Sequence, residues 1–397
     1  MPTVTKPDPT LASALTHARE RAGFSQQEVA TLVGQLRPVI SNWESGTRRP
    51  NDQQLVKLAA IYRTTVVELL GGEQRSRPDF EKLVFRSAGE RLDTPAKYEI
   101  QRWLAFLDGY GDLLDALGEP PGMTEAPFSL RPGFLNKEDI RRKAEDARAF
   151  FRLGLGPVGD IAGLADLHGI SIYLAPLGAD LKSTVSGAFL GHDRAGFSIL
   201  VNAETTPGRR QFTLAHELGH ALFHGDGVYV DYFGRREGTE KFASAFAAEF
   251  LVPTQSLRAT VEAYGLQKVR DPEVIVHLQR LFRVSYAMML VRLADANLAT
   301  PEDIERLKTV HPVHLAERLG YSIDPEEWHQ DAERLGIARF PRRFLQILRR
   351  ALNEGKASVS GAANVMGLAE EDVEEFIADS HASEQRTAEE FEYLRAS

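Results

Sequence analysis

The chain has 397 residues, 43% of them hydrophobic, enough for two to three domains with cores of their own. It contains no cysteine, which excludes disulfides and thiolate-held metals and leaves any bound metal to His, Asp or Glu. The net charge of −9 argues against coating nucleic acid along its whole length, yet residues 1–70 carry eight Lys or Arg against six Asp or Glu, +2, leaving −11 to the rest. The amino terminus lacks an apolar segment, and no apolar run approaches the roughly 20 residues that span a bilayer. A soluble cytoplasmic protein without a membrane partner is therefore expected.

In chain order, residues 1–72 predict five short helices with turns at Gly23, Gly34, Gly46 and Pro50. Ser25 is placed to cap the second helix, Val29, Ala30 and Leu32 point inward, and Gly34 makes a tight turn. In the third helix Ile40 and Trp43 face inward, which leaves Arg37, Pro38, Ser41 and Asn42 outward. Arginine can grip a guanine edge with two hydrogen bonds, and asparagine can pair with adenine.

Residues 73–134 read as a helical connector, with one helix from about Pro95 to Leu117 and then breaks at Pro120, Pro121, Pro127 and Pro132. Residues 135–300 read as an α+β domain. Helices through Ile140, Ala144, Ala147 and Phe150, and through Ile161 and Leu164, precede three β-rich runs beginning at Ile172, Gly187 and Phe197. From about Gln211 onward the expectation is mostly helix. Residues 301–397 form a helical C-terminal region, in which the stretch from Phe344 has helix-turn-helix spacing around Gly355 and Ser358. The EEDVEEF that follows argues against DNA there, so Pro341 to Phe376 is read as an interaction or dimerisation element.

The stretch RRQFTLAHELGHALFHG, residues 209–225, contains the pattern H-E-x-x-H as His216, Glu217 and His220. On a helix, residues four apart share a face, so both imidazoles can reach one ion while Glu217 sits beside it. Twenty residues beyond His220, Glu240 opens EKFASAFAAEFLVP, whose Ala243, Phe246, Ala247 and Phe250 describe a buried face. A second helix folded against the first could bring Glu240 to the ion. Glu249 competes for that place; it lies roughly 13 Å further along the same helix, so the two cannot both bind. His224 is roughly 12 Å from His216 along the axis and suits a supporting or oxyanion-side place better. Two packed histidines without a ligand role are the plain alternative. The intervening glutamate, small Ala215 and Gly219 and the acidic helix downstream favour a metal.

Residues 11–70 resemble the Xre-type, phage-repressor-like helix-turn-helix family through ARERAGFSQQEVATLVGQLRPVISNWESGTRRP. The resemblance implies double-stranded operator DNA as a partner, with Gln26, Arg48 and Arg49 on backbone phosphates, and a homodimer on paired half-sites. From about Ile140 to Pro253 the chain resembles the ImmA/IrrE family of zinc metallopeptidases, through AGLADLHGISIYLAPL, SGAFLG, FSILVN and the two helical stretches above. That resemblance implies a zincin-like domain with Zn2+ on His216, His220 and Glu240, and with Glu217 as general base. It also implies a protein substrate, a transcription repressor in stress, phage or mobile-element control. The family usually shows Asn where this chain has Ser244, which shortens any support that residue gives a ligand. His224, Tyr229 and Tyr232 are candidates for stabilising the oxyanion.

The fold expected is thus multi-domain: an all-α helix-turn-helix domain, an α+β zincin-like metallopeptidase domain and a helical C-terminal region. The competing functional reading is a DNA-binding regulator of toxin–antitoxin or prophage type, whose peptidase-like fold senses a ligand or partner with little turnover. Intact His216, Glu217, His220 and Glu240 favour the enzyme.

Overall fold

Capping chemistry divides the first seventy residues into α1 (Pro9–Arg21), α2 (Gln26–Val33), α3 (Arg37–Glu44), α4 (Asp52–Ile61) and α5 (Val66–Leu69). Ser25, Asn51 and Thr65 close capping boxes with Glu28, Gln54 and Glu68, so three helix starts are set by local hydrogen bonds. Gly34 ends α2 at φ +67, a left-handed conformation that would strain any side chain. Pro38 lies in the first turn of α3, where no helical hydrogen bond is lost. Leu15, Val29, Ile40, Trp43 and Leu58 from these helices share one core.

The computed structural model describes residues 9–72, 92–130, 136–179, 185–225, 228–232, 238–322 and 335–378. It divides into two compact units, residues 1–119 with 347–397, and residues 120–346. The first unit takes in α6 (Thr94–Leu117), which the sequence suggests as part of a connector. Lys97 of α6 donates to the Gly23 carbonyl and pairs with Glu28, Gln101 donates to the Ala22 carbonyl, and Asp108 pairs with Arg63. A buried Gln101 satisfied by a distant carbonyl is a tertiary fact that no local pattern announces.

The second unit runs α7 (Lys137–Phe150), α8 (Ile161–Leu167), β1 (Ser171–Ala175), β2 (Val185–His192), β3 (Gly196–Asn202), α9 (Pro207–Phe223), β4 (Val228–Tyr232) and α10 (Gly238–Leu251). It continues with α11 (Thr254–Ala263), α12 (Pro272–Phe282), α13 (Tyr286–Asp295), α14 (Pro301–Leu307) and α15 (Pro312–Arg318). One mixed sheet holds the strands in the order β1-β3-β2-β4, with β1 parallel to β3 and β2 antiparallel to both its neighbours. Three strands fall on the β-rich runs; β4 lies in a stretch expected to be helical, and its five residues are identified as strand by pairing with β2. Residues 120–130 also belong here. Met123 donates to the Gly169 carbonyl and accepts from the Phe197 amide, and Phe128 stacks on Phe223 at 5.1 Å.

Towards the C-terminus lie α16 (Arg342–Asn353) and α17 (Val359–Met366), and residues 370–378 are helical. Among the described residues no single helix is long and apolar enough to cross a membrane.

Candidate metal centre and nucleic-acid face

Every residue of α9 from Thr213 to Phe223 is buried, so its two imidazoles and its carboxylate need polar partners inside the fold. Glycines let the neighbours come close enough to supply them. A Cβ on Gly219 would lie 2.9 Å from Phe246 Cδ1, so only glycine allows α10 this approach. On the opposite side, Gly187 sits at a register shift in β2, where a Cβ would lie 2.6 Å from Thr213 Cγ2 and 3.2 Å from Glu217 Cγ. In the sequence only its place at the head of GAFLG hints at this role.

The imidazole Nε2 atoms of His216 and His220 are 3.3 Å apart. Glu240 Oε2 is 3.1 Å from His216 Nε2, and its Oε1 is 3.5 Å from His220 Nε2. A tetrahedron with bonds of about 2.0–2.1 Å has edges of roughly 3.3–3.4 Å, so the two imidazole nitrogens are spaced as donors around one small divalent ion, and the Glu240 carboxylate turns one oxygen towards each of them. No other set of three His, Asp or Glu among the described residues meets in this way.

Each imidazole is also held from behind. Ser244 Oγ lies 3.3 Å from His216 Nδ1, and His224 Nδ1 lies 3.1 Å from His220 Nδ1. With Nε2 turned to an ion, each Nδ1 carries the proton and donates it to these acceptors, which fixes tautomer and ring orientation together. Burial, and then the charge of His220, push His224 down to about 4, so it is a neutral acceptor near neutral pH. With no ion bound, burial would raise Glu240, but hydrogen bonds from the protonated Nε2 atoms of His216 and His220 outweigh it and hold the carboxyl below the usual range.

Glu249 faces elsewhere. It accepts from the Thr254 amide at 2.7 Å and the Thr254 hydroxyl at 2.8 Å, and it pairs with buried Arg292, which ties α10 to α11 and α13. Glu217 is fully buried beside the histidine pair. The side chains of Tyr229 and Tyr232 lie outside the described residues.

In the first unit, Arg37, Pro38, Ser41 and Asn42 are exposed on α3 while Ile40 and Trp43 are buried, and Arg48 and Arg49 are exposed in the turn before α4. Gln26 is half-buried, and its amide donates to Glu44 at 3.0 Å, which in turn pairs with Arg19. One Gln26 proton is therefore engaged inside the module, a contact between helices that sequence spacing does not reveal.

The two constructions define a class of protein, a helix-turn-helix module followed by an α+β domain built round an H-E-x-x-H helix. Comparison with known proteins divides the chain in the same way. Residues 15–69 match the helix-turn-helix family, and residues 165–294 match the family described as IrrE N-terminal-like domain. The chain is similar to the radiation response metalloprotease IrrE of Deinococcus radiodurans, 32% identical over 146 residues that make up 35% of this chain and 42% of that protein. It is also similar to two HTH-type transcriptional regulators of Bacillus subtilis, AnsR and ImmR. The first is 38% identical over 63 residues, 16% of this chain and 54% of AnsR. The second is 29% identical over 83 residues, 21% of this chain and 65% of ImmR. The chain thus spans about half the length of the curated relatives it matches. Its first domain is similar to helix-turn-helix domains and its second to the IrrE N-terminal-like domain.

Proposed function

We propose that this protein is a cytoplasmic DNA-binding transcription regulator whose second domain is a zinc-dependent endopeptidase acting on a partner repressor. The observation that carries the reading is the approach of His216 Nε2, His220 Nε2 and the Glu240 carboxylate to within 3.1–3.5 Å of one another, on the helix that bears Glu217. Two imidazoles and a carboxylate without a thiol suit zinc and leave a coordination position open. Zinc held there supplies a Lewis acid for a peptide carbonyl and lowers the pKa of a coordinated water to about 7.

The remaining work falls to the chain. Glu217 accepts the proton of the attacking water and returns it to the leaving amine, so one carboxylate serves both halves of the cleavage. Ser244 and His224 keep the Nε2 lone pairs of His216 and His220 aimed at the ion. At the sheet edge, β4 has a row of backbone groups for an extended substrate segment. On the first domain, Arg37, Pro38, Ser41 and Asn42 face the major groove of an operator, while Arg48, Arg49 and the remaining Gln26 donor reach phosphates. Joining the two functions in one chain holds a peptidase beside promoter-bound proteins, which is why a repressor is the substrate class.

The test is incubation of the zinc-loaded protein, and of its Glu217→Gln form, with small helix-turn-helix repressors. The expected result is one discrete cut by the parent and none by the variant. Intact operator binding with no cut by either form would replace the enzyme by a ligand or partner sensor.

A further inference from the structure

One local construction occurs twice among the described residues. Ser25 and Gly34 bracket α2, and Ser358 and Gly367 bracket α17 at the same spacing. Each serine accepts from a backbone amide three residues on, that of Glu28 or Gly361. Each glycine is left-handed, at φ +67 and +60, and closes its helix on matching carbonyls, Ala30 and Thr31 in one case, Ala363 and Asn364 in the other. All these pairs are separated by 333 residues, and so are the buried pairs Leu15 and Leu348, Ala18 and Ala351, Val33 and Met366, and Ile40 and Val373. Residues 342–378 are therefore a second helix-turn-helix, outside the 15–69 that match the family, and helical residues 370–378 stand where α3 stands in the first.

The outward positions are where the two modules part. Those that hold Arg37, Pro38, Ser41 and Asn42 in α3 hold Glu370, Glu371, Glu374 and Glu375 in the second, all exposed and none in an ion pair among the described residues. Four carboxylates on adjacent turns repel one another, a local cost with no return inside the chain. Their charge also repels duplex DNA from the very face a helix-turn-helix uses to read it. The complement of that face is cationic.

We propose that this acidic face docks the basic reading face of a second copy of the chain, that is Arg37 with Arg48 and Arg49, and that the contact competes with duplex DNA. Within one chain the two faces do not meet. Lys97 and Gln101 of α6 hold the first module, Arg102 of the same helix donates to the Gly367 carbonyl of the second, and both reading faces remain exposed. Two reciprocal contacts would close a two-fold dimer. The DNA-competition half rests on reading the first module as a DNA binder; the self-association half does not.

Sedimentation of the full chain tests the docking. The parent is expected to self-associate at low salt and to separate as salt is raised. Glu370→Gln, Glu371→Gln, Glu374→Gln and Glu375→Gln together should weaken association by about tenfold or more, and Arg48→Glu with Arg49→Glu should do the same. Adding Glu374→Lys and Glu375→Lys to the Arg48→Glu, Arg49→Glu form should restore association, which a misfolded variant cannot do. A short random duplex should break up the parent's self-association and bind the four-glutamine variant more tightly than the parent. A parent that stays monomeric at low salt, or association indifferent to the glutamine changes, overturns the proposal. Association lost with the glutamine changes but untouched by the arginine changes overturns the choice of partner face. Association as described, with no duplex bound by any form, upholds the docking and removes the DNA reading instead.

Discussion

The two ends of α10 carry glutamates buried to nearly the same degree, Glu240 at 9% and Glu249 at 7% exposure, and they do different work. Glu240 faces two imidazoles, which when neutral can offer lone pairs to an ion that the carboxylate can also bind. Glu249 faces the guanidinium of Arg292, always charged and never a ligand, and the amide and hydroxyl of Thr254. The chemistry of the partner, more than depth, separates a carboxylate that can bind a metal from one that fastens helices.

Glu217→Gln gives the largest effect that breaks this comparison open, because it leaves both ends of α10 intact. Cleavage should fall by a factor of about 100 to 10,000 with metal content unchanged, measured by peptide turnover beside metal analysis. Glu249→Ala comes next. It removes the nearest carboxylate from buried Arg292, which keeps the more distant Asp295 and the Val252 carbonyl, and should cost about 3 kcal/mol in denaturant unfolding, whereas Glu240→Ala should remove metal binding with a smaller change in the metal-free protein. Ser244→Ala should weaken metal affinity about 10- to 100-fold by freeing the His216 ring, and Ser244→Asn should restore it, as competition with a chelating dye would show.

The smallest effect is in the other unit. Burial would raise Glu28, but the Lys97 ammonium and the Ser25 amide outweigh it and lower it from its ordinary 4.5. A carboxyl lowered on folding adds stability above its unfolded pKa and loses it as pH falls through the folded one, so acidification should lower the melting temperature of the first unit. Glu28→Gln should flatten that dependence.

Much of the grouping of His216, His220 and Glu240 is legible in the sequence, because four-residue spacing on a helix is a geometric statement and the run after Glu240 carries its own buried face. What spacing cannot supply is orientation. Whether Glu240 or Glu249 turns to the histidines depends on Arg292, a residue 43 positions beyond Glu249. The place of α6 in the first unit rests on Lys97, Gln101 and Asp108, polar residues that resemble a solvated face until their partners are known. The β4 strand is too short to declare itself without β2 beside it. Pro-rich residues 120–130 resemble a linker, yet their backbone bonds to Gly169 and Phe197 make them part of the second unit.

The most direct test of the central claim is the zinc content of purified parent, Glu240→Gln and Glu249→Gln proteins. One zinc per chain in the parent and in Glu249→Gln, with loss in Glu240→Gln, is the predicted result. Zinc retained by Glu240→Gln and lost by Glu249→Gln would contradict the ligand set and the peptidase built on it.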